Sequence, residues 1–153
     1  MFEAPLDPRG PTRKEKPTST SEENKTIART FYEAYNGGDL QGAFDAYISP
    51  DLINHTNGGA MDRDMWMGSD LAAKTAVPDQ TMTILGQSAD GDTVYTHWVL
   101  EGTFSNGDLF GIPANGNATR LEAVAVDVIR DGQIVEHNAI GDFTAFMSQL
   151  TAQ

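Results

Sequence analysis

Residues 120–141 read "RLEAVAVDVIR", then "DG", then "QIVEHNAIG". Two alternating runs joined by Asp-Gly specify an antiparallel hairpin, because Asp-Gly suits a two-residue turn with positive φ at both positions. This pattern fixes which side chains share a face. On the first strand, Leu121, Ala123, Ala125, Asp127 and Ile129 lie on one side. Glu122, Val124, Val126, Val128 and Arg130 lie on the other. Both faces are apolar in the middle, so both are expected to be covered. The valines form a flat, filled surface suited to a helix or to another subunit. Ala123 and Ala125 are small, so the face carrying Asp127 has room for a cavity.

A carboxylate in that setting needs a reason. Buried, ionised and unpaired, it would cost several kcal/mol. Protonation, a hydrogen-bonding partner or a substrate to act on would each answer that cost. The Asp131-Gly132 turn sets Arg130 opposite Gln133, which brings Asp127 across from Glu136 or His137. Ala139 and Gly141 are small and alternate with His137, matching the roomy face. His137 is therefore assigned to the side of Asp127.

The rest of the chain divides at Pro78. Before it, three helices are expected, at 21–36, 40–48 and 62–76. Ile27, Phe31, Ala34 and Tyr35 recur at helical spacing in the first. Asp39 caps the second, and Met65, Trp66, Leu71 and Ala72 form the inner side of the third. "LINHTNGG" is a short extended piece and turn. After Pro78 the chain reads as a four-strand antiparallel meander, with "LFGIPANGNAT" as its long loop. A short helix, "DFTAFMSQLTA", follows, with Asp142 as its N-cap. Helices grouped ahead of an antiparallel sheet give an α+β domain with helices on one face. Residues 1–22 hold four prolines and a Ser/Thr cluster and are expected to be a disordered tail, leaving 23–153 as the folded domain.

Charge narrows the partners. The 153 residues carry a net charge of −12, and only six Lys or Arg lie beyond residue 23. Such a surface repels phosphate backbones and anionic lipid, so neither nucleic acid nor membrane is an expected partner. Any ligand is expected to be neutral or to carry few charges. No cysteine is present, so disulfide and thiol chemistry are excluded. No apolar run approaches a membrane span or a signal peptide, which suits a cytoplasmic protein. No phosphate loop, nucleophile elbow or dinucleotide fingerprint is present, and no cofactor is expected. His55, His97 and His137 lack the spacing of known zinc sites, so no metal is expected either. His55 precedes a glycine turn, where loops often carry function. His97 alternates with Tyr95 and Val99, and either face could point inward.

"ARTFYEAYNGGDLQGAFDAYISPDLINH" together with "LFGIPANGNATRLEAVAVDVIRDGQIVEHNAIGDF" resembles the SnoaL-like polyketide cyclase family. That family has the nuclear-transport-factor-2-like cone fold, and the resemblance covers about residues 24–152. It implies a curled antiparallel sheet and three N-terminal helices enclosing an apolar pocket. It implies a pocket wall carrying Asp127 and His137, with Phe31, Tyr35, Trp66, Trp98, Ala125 and Ala139 contacting substrate. It also implies a homodimer through the convex sheet face. In the characterised cyclases an aspartate on the last strand is the acid–base group for an aldol ring closure; the matching position here is Ala139. A histidine on the preceding strand matches Asp127, and a further histidine matches His137. Ketosteroid isomerases share the fold. Their neutral, hydrogen-bond-donating acid matches Asp127, their general base falls near His55, and their pocket tyrosine falls near Phe31.

The expected function is therefore cofactor-independent acid–base chemistry on a small apolar carbonyl compound, of the cyclase or isomerase type. Asp127, His55 and His137 are the catalytic candidates. The alternative is a binding protein of the same fold without chemistry, favoured by Ala139 and Phe31.

Overall fold

A computed structural model describes residues 20–59 and 61–153. Most of the expected tail lies outside them. The first helix, α1 (Ser21–Glu33), takes the last two residues assigned to that tail. Thr20 is its N-cap: its side chain accepts from the Glu23 N–H, and the Glu23 side chain accepts from the Thr20 N–H. This reciprocal pair satisfies two amide groups that a helix start leaves orphaned. Asp39 caps α2 (Leu40–Tyr47), Asp62 caps α3 (Arg63–Ala76) and Asp142 caps α4 (Phe143–Thr151). Among the described residues, no helix is long and apolar enough to cross a membrane.

The sheet is mixed. β2 (Thr81–Asp90), β3 (Thr93–Phe104), β6 (Asn117–Arg130) and β7 (Gln133–Gly141) form the expected meander. The small hairpin of β4 (Asp108–Leu109) and β5 (Ile112–Pro113) lies within the long loop. A fifth strand, β1 (Ile48–Asn54), was expected only as a short extended piece. It pairs in parallel with β7 at the sheet edge, giving the order β1-β7-β6-β3-β2. Pro50 is tolerated there because an edge strand need not donate from every residue.

One irregularity decides the site. Asp131 and Gly132 both have positive φ, 51° and 77°, as the turn demands. Past it, Ile129 pairs with Ile134 but Val128 pairs with Glu136, so Val135 is an extra residue on β7. Without this bulge Asp127 would face Glu136, acid against acid. With it, Asp127 faces His137.

The helices cover the concave face. Phe31 is fully buried, with Tyr32, Tyr35, Phe44 and Trp66 packed edge-on around it at ring centroid distances of 5.0, 5.9, 5.0 and 5.7 Å. Truncating a core aromatic of this kind costs about 3–5 kcal/mol. On the convex face Val124, Val126 and Val128 are only half-buried, and Ile140 beside them is exposed.

Candidate active site

A cavity of about 320 Å³ opens between the concave face and α1, α3 and α4. Its wall is mostly hydrocarbon, and a few polar groups interrupt it. Their placement follows from helix geometry. On α1 the buried positions are Asn24, Ala28, Phe31 and Tyr32, with Tyr35 buried just past its end, so the inner face is turned by about one residue from the sequence expectation. That rotation puts Tyr32 over the sheet. On α3, Trp66 and Asp70 lie one turn apart and both face the cavity, whereas Met65 and Ala72 face solvent.

His137 lines the cavity and is 5% exposed. Its Nδ1 lies 2.7 Å from Asp127 Oδ1. The Tyr32 hydroxyl donates to Asp127 Oδ2, also at 2.7 Å. Asp127 is completely buried and does not line the cavity. The room expected above it is taken up by Tyr32 and His137. Its carboxylate thus has two partners and addresses a ligand only through the imidazole. Burial, then the charge of Asp127, holds the Tyr32 hydroxyl well above the usual phenol range, so it remains a donor. The indole of Trp66 stacks on the His137 ring, with centroids 4.1 Å apart and planes inclined by 13°. Behind the ring, the His55 amide donates to the His137 carbonyl at 2.7 Å, tying β1 to β7 at this residue.

A different carboxyl, that of Asp70, does line the cavity. Asp70 Oδ2 accepts from the Tyr35 hydroxyl and, at 2.9 Å, from Trp66 Nε1–H. Burial raises the Asp70 pKa above the ordinary carboxylate value, although both hydrogen bonds and the nearby His137 pull it down. Burial and the Asp70 charge also hold the Tyr35 hydroxyl well above its usual range.

The sequence-derived candidates separate on this geometry. His137, Tyr35, Trp66, Trp98 and Ala139 line the cavity. Phe31 and Ala125 do not. Phe31 is the hub of the core, and Ala125 lies under the helices, fully buried. His55 is half exposed; its Nε2 lies 3.1 Å from Glu136 Oε1 and it does not reach the cavity. His97 is on the convex side, 2.8 Å from Glu122 Oε1. Gly141 is small for another reason than a roomy face: a Cβ there would come within 2.8 Å of both the Glu122 carbonyl and Ala123. Tyr32 and Asp70 escaped sequence reasoning. The i, i+4 pairs Ala28/Tyr32 and Trp66/Asp70 were the available signals.

A family model described as SnoaL-like polyketide cyclase matches residues 25–150. No curated protein sequence matches the chain significantly. Among solved structures, wild-type IdmH from Streptomyces antibioticus, assigned as a polyketide cyclase, is 31% identical, with a TM-score of 0.69 over 84% of this chain and 99% of IdmH. AclR from Streptomyces galilaeus, assigned as a hydroxylase, is 20% identical, with a TM-score of 0.78 over 88% and 84% of the two chains. A protein from Jannaschia sp. CCS1, assigned as a SnoaL-like polyketide cyclase, is 18% identical, with a TM-score of 0.76 over 92% and 99%. At those identities the last two speak for the fold alone. With the family model spanning most of its length and the cone-shaped sheet around the cavity, the chain belongs to the SnoaL-like polyketide cyclase family.

Proposed function

We propose that the protein is a cofactor-independent acid–base enzyme of the cyclase or isomerase type, acting on a small, largely apolar carbonyl compound. One observation carries this reading: His137 faces an apolar cavity with its Nδ1 committed to Asp127. The Nδ1–H donates to the carboxylate, so Nε2 keeps its lone pair and is the ring nitrogen left for a ligand. Nε2 removes a proton from carbon beside the carbonyl, giving an enolate. Asp127 stabilises the imidazolium that results, and the stacked Trp66 ring favours the same charge. Returned at a different carbon, the proton completes an isomerisation. Attack of the enolate carbon on a second carbonyl of the same molecule closes a ring: the C=O π pair moves to oxygen as an alkoxide, which takes the proton back from the imidazolium. Asp127 is a positioning residue in either case, because it does not touch the cavity.

The test follows deuterium exchange into the carbon beside the carbonyl of 2-tetralone by NMR in D2O. The protein is expected to accelerate exchange over buffer. His137→Gln is expected to lose that acceleration by roughly 10²–10⁴-fold, the range for a positioned base. Exchange no faster than buffer would instead favour the binding protein without chemistry.

A further inference from the structure

The cavity has a second polar station that the acid–base reading leaves unused. Asp70 stands on α3, and its Oδ2 already accepts two hydrogen bonds, from Tyr35 and Trp66. Both donors are themselves buried, with Tyr35 at 4% exposure and Trp66 at 6%. They fix the carboxyl in place. Oδ1 takes no bond from any described residue and is not among the fully buried polar atoms, and Asp70 lines the cavity. A carboxylate oxygen has acceptor capacity and no donor. The wall around it offers mainly hydrocarbon.

We infer that Asp70 is a specificity-determining residue: it selects a neutral ligand with an O–H group, such as a phenol, an enol or an alcohol, directed at Oδ1. Counting donors separates this from other ligand classes. An O–H brings one donor to one open acceptor. An ammonium brings three and would leave the others unpaired against hydrocarbon, at the cost of its desolvation. An anion would meet Asp70, with Asp127 close behind His137, in a site where burial strengthens like-charge repulsion. An ether or a ketone fits the apolar wall but leaves Oδ1 without a donor. Combined with the proposed chemistry, on which this clause alone rests, the substrate is a hydroxylated or enolisable carbonyl compound spanning His137 and Asp70.

Four naphthalene probes of nearly equal shape test the inference by calorimetry at pH 7: 2-naphthol, 2-methoxynaphthalene, 2-naphthoate and 2-naphthylmethylammonium. Wild-type protein is expected to bind 2-naphthol about tenfold or more tightly than 2-methoxynaphthalene, the value of a hydrogen bond to a charged group. The naphthoate and the ammonium should both bind more weakly than the naphthol. Asp70→Asn should shrink the naphthol preference severalfold and relieve the naphthoate penalty. His137→Gln should leave the preference in place, which separates contact at Asp70 from contact at the imidazole. Equal binding of naphthol and ether, tighter binding of the ammonium, or a preference lost in His137→Gln would each overturn the assignment. The wild-type comparison stands even where a variant fails to fold. Deuterium exchange on 2-tetralone does not enter it, so the two readings fail separately.

Discussion

Removing the hydroxyl of Tyr32 tests whether Asp127 is held as an ionised acceptor. The side chain is 2% exposed and its hydroxyl lies 2.7 Å from Asp127 Oδ2. In Tyr32→Phe that oxygen, on a carboxylate with 0% exposure, loses its partner. The space vacated by one hydroxyl is smaller than a water needs, so solvent does not replace it. A hydrogen bond to a charged group contributes about 1.5–3 kcal/mol. The expected loss of stability is about 2 kcal/mol, which for a domain of this size lowers Tm by roughly 6 °C. Urea unfolding followed by tryptophan fluorescence measures it directly. Tyr95→Phe is the control; Tyr95 is 40% exposed, and its Tm should not move. A double-mutant cycle sharpens the test. In an Asp127→Asn background the same hydroxyl meets a neutral acceptor, where it contributes only about 0.5–1.5 kcal/mol. The two substitutions should therefore couple by about 1 kcal/mol, beyond the roughly 0.3–0.5 kcal/mol scatter of independent sites. Costs that simply add would refute the pairing of Tyr32 with a carboxylate.

Two further outcomes follow from the geometry. Gly141→Ala drives a methyl to within 2.8 Å of the Glu122 carbonyl and Ala123, so β7 must move away from β6. A loss of about 1–3 kcal/mol in urea unfolding is expected, and an unchanged midpoint would contradict the close approach. For Asp70, burial raises the folded-state pKa above its ordinary value. Its contribution to stability is then fully present below the ordinary carboxylate pKa and is lost as pH rises through the raised one. Asp70→Asn removes this titration, so the variant should gain on wild type as pH climbs from about 4 towards neutrality. A stability difference independent of pH would exclude the shift.

The elements were legible where a local signal exists. Asp39 and Asp142 cap helices as their side chains suggested, and Asp131-Gly132 forms the expected turn. β1 was not fully legible because parallel pairing leaves no hairpin in the sequence to mark it. The pairing of Asp127 with His137 rested on face assignment, and what enforces it is an extra residue, Val135, that alternation alone cannot reveal. Tyr32 and Asp70 were missed for opposite reasons. Tyr32 sits next to Phe31, and both are buried, so the choice of the cavity-facing ring turns on about 100° of helix rotation. Asp70 is charged, and a charged residue on a helix ordinarily marks the solvent side. Only the tertiary placement of Trp66 and Tyr35 beside it shows otherwise.

The acid position implied by the resemblance, on the last strand, holds only the methyl group of Ala139. The backbone N–H of Ala139 donates to the Thr56 hydroxyl at 2.9 Å. An acid there would share a wall with His137, two residues away on the same strand and about 6–7 Å along it. The carboxyl that is open to this cavity comes from α3 instead. Between it and the imidazole lies the indole of Trp66, its face on His137 and its N–H on Asp70. One aromatic side chain therefore touches both polar stations. The same ring is polarised by the carboxylate it donates to and lies against the imidazole that would become charged. Asp70 and His137 are consequently joined through one side chain, and the nearby His137 pulls the Asp70 pKa down against the effect of its burial.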